Sequence, residues 1–207
     1  MQSTMQDLRV GPGGTDRVYT GEAKLVISID LGTTFSGASY AVLSPGQRPV
    51  IEDVKAFPGQ ATAGSKVPSV IMYSSKGEAK LFGAEALGGS LAEQILDDGG
   101  QLARWWKIHL KPDHIEMNLG LLESAPGSTE DVDHYQDLPF GLSAERICSD
   151  YLRYMVTCVG SYMRSRMSNG AELLSQLASS IHYVLTIPNG CVLSFETSQN
   201  SACEYRN

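Results

Sequence analysis

Apolar and polar positions change their rhythm several times along this chain, and each change marks an element. From Lys24 the residues Leu25, Ile27, Ile29 and Leu31 alternate with Val26, Ser28 and Asp30. Both sets are mostly apolar until the carboxylate, which predicts a strand buried on both faces over 24–31. Gly32, Thr33 and Thr34 interrupt the run, and alternation resumes from Phe35 with Ala38, Tyr40 and Val42 on one face. A return strand, and hence a hairpin, is predicted. A third strand is expected near 50–54, another over Pro68–Tyr73 before a turn at Ser75-Lys76-Gly77, and its hairpin partner over Lys80–Gly83.

The period then shifts toward helix. Residues 84–96 are mostly good helix formers weakened by Gly88-Gly89, and Asp97-Asp98-Gly99-Gly100 ends them. Leu102, Trp105, Trp106 and Leu110 form a helical stripe that predicts a further helix over 101–110. The clearest helix spans 143–167, where Ile147, Tyr151, Met155, Val159 and Tyr162 recur about every four residues beside Tyr154 and Cys158, behind Ser143 as N-cap. A shorter helix is expected over 171–179. Ile181 to Ile187 reads as a buried strand stopped by Pro188. A long helix leading into such a strand suggests a right-handed crossover to lie parallel with the strand at 25–31.

The chain of 207 residues fits one domain or two small lobes, and its 42% apolar and 19% charged content fits a globular protein. A net charge of −7 argues against a nucleic-acid surface, and no apolar run approaches a membrane span. Residues 1–23 are polar, contain Gly11-Pro12-Gly13-Gly14 and lack the apolar core of a secretory signal, so they are expected to be a disordered lead-in. Cys148, Cys158, Cys191 and Cys203 have no C-x-x-C spacing. They are read as reduced thiols of a cytoplasmic protein. His109, His114, His134 and His182 show no metal-like spacing and are read as structural or exposed. Residues 111–139 carry Asp113, Glu116, Glu123, Glu130, Asp131, Asp133 and Asp137 against Lys111. This acidic loop is either a solvated insertion or a metal or partner site, and the first reading is preferred because no ligand spacing stands out.

Candidate chemistry gathers at Asp30 to Phe35. A carboxylate at a strand end holds a hydrated magnesium ion well, because that ion keeps most of its waters. Gly32 allows a sharp turn close to a phosphate. Thr33 and Thr34 bring hydroxyls and successive N–H groups, which form an anion-binding nest. An ordinary Gly-Thr hairpin remains the alternative. No P-loop or Gly-x-Gly-x-x-Gly string is present, and Gly13-Gly14-Thr15-Asp16 follows no predicted strand, so it reads as linker.

Several segments in order resemble the seventy-kilodalton heat-shock chaperone family, in a divergent branch common in fungi. They are Ile29-Asp30-Leu31-Gly32-Thr33-Thr34-Phe35-Ser36, Val67-Pro68-Ser69-Val70-Ile71-Met72-Tyr73, Leu81-Phe82-Gly83-Ala84-Glu85-Ala86, the long helix after Ser143, and Val184-Leu185-Thr186-Ile187-Pro188-Asn189-Gly190. The resemblance covers about 24–190 and implies the first lobe of an actin-like, ribonuclease-H-like ATPase domain. That is an α/β fold with a mixed sheet in strand, hairpin and crossover order and an inserted α+β subdomain over about 55–140.

It further implies ATP and ADP as ligands with magnesium. Asp30 would face the metal through water. Gly32, Thr33, Thr34 and Phe35 would form the first phosphate hairpin, with the Thr33 hydroxyl near the terminal phosphate. Lys107 would orient the attacked phosphate, or else be a surface lysine on a helix. Pro188 would be the hinge. In the full-length family the partners are unfolded polypeptides and co-chaperones.

Residues 191–207 are polar and depart from the family pattern, which continues with a catalytic carboxylate, a second phosphate loop and the adenosine pocket. The expectation is therefore an incomplete, truncated lobe that binds nucleotide weakly or is inactive. A fragment or interaction protein without nucleotide binding is the alternative. A sugar kinase of the same superfamily is disfavoured by the 67–73 strand and the Ile187–Gly190 hinge.

Overall fold

The computed structural model describes residues 17–110 and 137–186. The lead-in before residue 17, most of the acidic loop, Pro188 and the 191–207 tail with Cys191 and Cys203 lie outside the described residues, as do His114 and His134.

The protein is mixed α/β. The first sheet runs in the order β3 (Glu52–Asp53), β2 (Phe35–Leu43), β1 (Lys24–Asp30), β8 (Ile181–Thr186), with a further strand, β4 (Val67–Pro68), also on β2. β1 (Lys24–Asp30) and β2 (Phe35–Leu43) form the expected antiparallel hairpin, registered from Lys24 opposite Leu43 to Asp30 opposite Gly37. β8 (Ile181–Thr186) lies parallel to β1, from Leu25 opposite Ile181 to Asp30 opposite Thr186. β1 is less symmetric than its sequence implied. Leu25, Ile27 and Ile29 are buried on the helix side, whereas Val26 and Ser28 are half-buried. The third strand shrinks to β3 (Glu52–Asp53), because Val50 and Ile51 stay exposed and only Val54 turns into the core.

The strand expected over 68–73 is two strands in two sheets. β4 (Val67–Pro68) pairs with the start of β2, and β5 (Ile71–Tyr73) joins β6 (Ala79–Phe82) and β7 (Gln101–Ala103) in an antiparallel sheet ordered β6-β5-β7. Pro68 has no N–H to continue a ladder, and the chain changes sheets just after it. The helix expected over 84–96 also divides at Gly88-Gly89, into a 3-10 turn over Gly83–Leu87 and α1 (Ser90–Asp97). A small core of Val70, Met72, Ala86 and Ala92 joins these pieces.

The helix expected over 101–110 is not one element. Gln101–Ala103 is taken by the β5 edge, Trp105 adopts a φ of 50°, and a 3-10 helix covers Trp106–Leu110. Backbone pairing to β5 outweighs the side-chain stripe, and the break at Trp105 turns Trp106, Lys107 and Leu110 inward.

α2 (Ala144–Arg166) matches its predicted extent, and the Ser143 hydroxyl accepts the Arg146 N–H at 3.3 Å. Its inner face, Ile147, Cys148, Tyr151, Met155, Val159 and Met163, forms the main core with the buried face of β1 and with Trp106. α3 (Gly170–Gln176) then leads into β8. Cys148 and Cys158 are buried, while His109 and His182 are exposed. No helix among the described residues is long and apolar enough to cross a membrane.

Candidate functional site

The turn joining β1 to β2 is built from the backbone outward. Gly32 is required by close approach: a Cβ there would lie 2.0 Å from the Phe35 carbonyl oxygen. No side chain fits that gap without opening the turn.

Two serines lock the turn. The Gly32 N–H donates to the Ser36 hydroxyl at 3.2 Å, the two hydroxyls of Ser36 and Ser69 are 2.8 Å apart, and Ser69 donates to the Gly32 carbonyl at 2.8 Å. Ser69 has one hydroxyl proton and gives it to Gly32, so the Ser36 proton must bridge to Ser69. The result is a closed ring in which every donor points the same way round. Such rings gain from mutual polarisation in a low dielectric, and both serines are fully buried. The Ser69 N–H also donates to the Thr34 carbonyl at 2.8 Å.

The 68–69 segment is clamped from behind. The Trp106 indole N–H donates to the Ser69 carbonyl at 3.0 Å, and the Tyr151 hydroxyl donates to the Pro68 carbonyl at 2.9 Å. Burial pushes the Tyr151 hydroxyl up to about 12, so it remains a donor. α2 and the 3-10 helix thus reach the turn through buried aromatic side chains.

The charges follow. Asp30 sits at the C-terminal end of β1 with its side chain 56% exposed. One carboxylate oxygen accepts the Thr186 hydroxyl at 2.8 Å, and the other is ion-paired with the Lys66 ammonium. The Lys66 hydrogen bond, then that of Thr186, holds the Asp30 carboxyl below the ordinary aspartate value of 3.8. Lys107, 3% exposed, donates its ammonium to the Leu31 carbonyl, and its charge also favours ionised Asp30. The reading of Lys107 as a surface lysine is thereby overturned: the break at Trp105 carries it inside, against the turn.

Of the residues singled out in the sequence, Asp30, Gly32, Thr33, Thr34, Phe35 and Lys107 converge on one turn. Thr33 is half-buried, Thr34 is exposed and Phe35 is 53% exposed, so the outer side of the turn is accessible. Pro188 lies outside the described residues. Lys66, Ser36, Ser69 and Thr186 are participants that pattern reading did not single out. Ser36, Ser69 and Thr186 lay within the strings quoted for the resemblance, and Lys66 immediately precedes one of them.

Among the described residues no group of three or more His, Cys, Asp or Glu side chains is placed to enclose a metal. A hydrated magnesium ion needs no such cage, since one carboxylate plus ligand phosphates is a usual arrangement. Asp30 meets that demand with lone-pair directions left on both oxygens. Among the described residues the ammonium groups of Lys66 and Lys107 both lie at this turn beside the Asp30 carboxylate.

No model of a known protein family matches the chain, and a comparison with curated proteins likewise finds no match.

Proposed function

We propose that this chain is a nucleotide-binding lobe of the chaperone-ATPase kind, taking the phosphates of ATP or ADP with magnesium at the Asp30–Phe35 turn. The observation that carries the reading is the buried Lys107 ammonium, delivered by a separate element onto the carbonyl of Leu31 beside Asp30. Placing a lysine inside a protein costs solvation, and this one is set against a turn whose Thr34 and Phe35 are exposed.

In this reading the backbone N–H groups of Thr33 and Thr34 cradle the phosphate oxygens. Lys107 supplies positive charge beneath them, and Asp30 holds the waters of the metal. Magnesium, when bound, bridges phosphate oxygens and neutralises their charge. The serine ring keeps the turn in one shape, so little ordering remains to be done on binding. Hydrolysis calls for groups on several sides of the phosphates. The proposal for residues 24–186 is therefore binding, with turnover weak or absent.

Membership of the chaperone-like branch and a cytoplasmic location are parts of the same proposal. Both rest on the resemblance of the ordered segments.

Isothermal titration calorimetry with magnesium-ATP tests it. Micromolar binding is expected, weakened about 10- to 100-fold in Lys107→Met, as loss of a charge-assisted contact implies. Absence of heat at millimolar nucleotide would sink the proposal and favour an interaction protein without nucleotide.

A further inference from the structure

Lys66 has no role in the site as read from the sequence, yet it holds one oxygen of the metal-side carboxylate. Its path is prepared. It follows Ser65 alongside Gly37, and a Cβ on Gly37 would stand 3.2 Å from the Lys66 Cδ and 2.9 Å from the Ser65 carbonyl oxygen. Gly37 is also the register partner of Asp30 on β2. The missing side chain at Gly37 therefore makes the corridor through which the Lys66 stem reaches Asp30. The other oxygen is held by Thr186, so the carboxylate is fixed in orientation before any ligand arrives. Both members of the ion pair are about half exposed, which makes their contact cheap to exchange.

We propose that Lys66 is the resident counter-cation of Asp30, occupying the place of the metal ion until magnesium displaces it. This rests on the reading of the turn as a magnesium-nucleotide site. A polyphosphate arriving without metal would meet a bare carboxylate at this turn and be repelled; with Lys66 in place the approach is neutralised. Arrival of the divalent cation frees the ammonium, which stays within reach of the phosphates because its backbone is anchored beside β4. Lys66 thus competes with the metal, and its removal strengthens metal binding to the nucleotide-free protein. A lysine that merely packed against Asp30, or that served the phosphate alone, would not act in this direction.

Manganese, a spin-active ion with the same preference for oxygen ligands, is the probe. Free manganese is counted by electron paramagnetic resonance during titration of the nucleotide-free chain. Lys66→Met is expected to bind the ion about 2- to 5-fold more tightly than the parent, the range an exposed ion pair supplies. Lys66→Arg should return the affinity to the parent value, and Asp30→Asn should abolish the site. Urea unfolding of each variant separates a fold defect from a site effect. Equal or weaker manganese binding by a folded Lys66→Met chain, or no manganese site in either chain, overturns the proposal. Calorimetry with ATP on the same samples keeps the two readings apart. If ATP fails to bind while Lys66→Met still tightens manganese, the nucleotide reading falls and the Lys66 exchange stands. If ATP binds and manganese affinity is unmoved, the reverse holds.

Discussion

Ser69→Ala is the sharpest test of how the turn is held. The substitution removes one oxygen from a buried position and changes little else, since the Ser69 backbone bonds to Thr34 and Trp106 are untouched. Two contacts vanish: the bond to the Gly32 carbonyl and the bridge from Ser36. A buried acceptor left without its donor costs about 1–3 kcal/mol, so a loss of about 2 kcal/mol is expected. With a urea m-value of about 2 kcal/mol/M, the unfolding midpoint should fall by about 1 M. Tryptophan fluorescence follows the transition directly, because Trp106 is bonded to the same residue. The ring makes a second demand. Ser36→Ala breaks the circle elsewhere, so the double variant should cost less than the sum of the singles by about 1 kcal/mol. A midpoint shift below about 0.2 M, or strict additivity, would refute the ring as described.

Other outcomes follow from the same contacts. Asp150 is 5% exposed and accepts from Tyr73 at 3.1 Å and from Arg146 and Arg153 at 3.0 Å each. Asp150→Ala strands the fully buried Tyr73 hydroxyl and should cost about 3 kcal/mol by thermal or urea unfolding, whereas Arg153→Ala, which leaves Arg146 in place, should cost far less. Asp30 is held below 3.8 in the folded chain by Lys66 and Thr186. Its contribution to stability is therefore present above 3.8 and is lost as pH falls from there through the lower folded value. The stability gap between parent and Asp30→Asn should stay constant near neutrality and close only in that acid window; a gap that widens on acidification would contradict the assignment.

The elements that sequence reading placed well are those whose side-chain rhythm and backbone needs agree. In β1 and β2 the alternation runs up to a glycine that the turn demands, and in α2 a four-residue spacing begins at a serine cap. Where the two conflict, the backbone wins. Leu102, Trp105, Trp106 and Leu110 share a helical spacing, but residues 101–103 complete a ladder with β5 and Trp105 breaks the path. Pro68 hides a change of sheet inside an apolar run for the same reason. The site was legible as far as it is local. Asp30, Gly32, Thr33 and Thr34 announce themselves within five residues, while Lys66, Ser69 and Thr186 reach the turn only through tertiary pairing. Lys107 was recognised through a resemblance, and its burial was not visible in its own neighbourhood.

The bonds that shape the turn span very unequal lengths of chain: 37 residues from Gly32 to Ser69, 76 from Leu31 to Lys107, 156 from Asp30 to Thr186. Two doublings of loop length add only about 1 kcal/mol of closure entropy, so the last contact is affordable at equilibrium. In time it is a different matter, because long-range pairing is slow. During synthesis Asp30 leaves the ribosome long before Thr186 exists. The hairpin can form early, the serine ring soon after, and Lys107 later still. Parallel pairing of β8 then completes the carboxylate end, so the Thr186 bond to Asp30 is the last of these contacts to form.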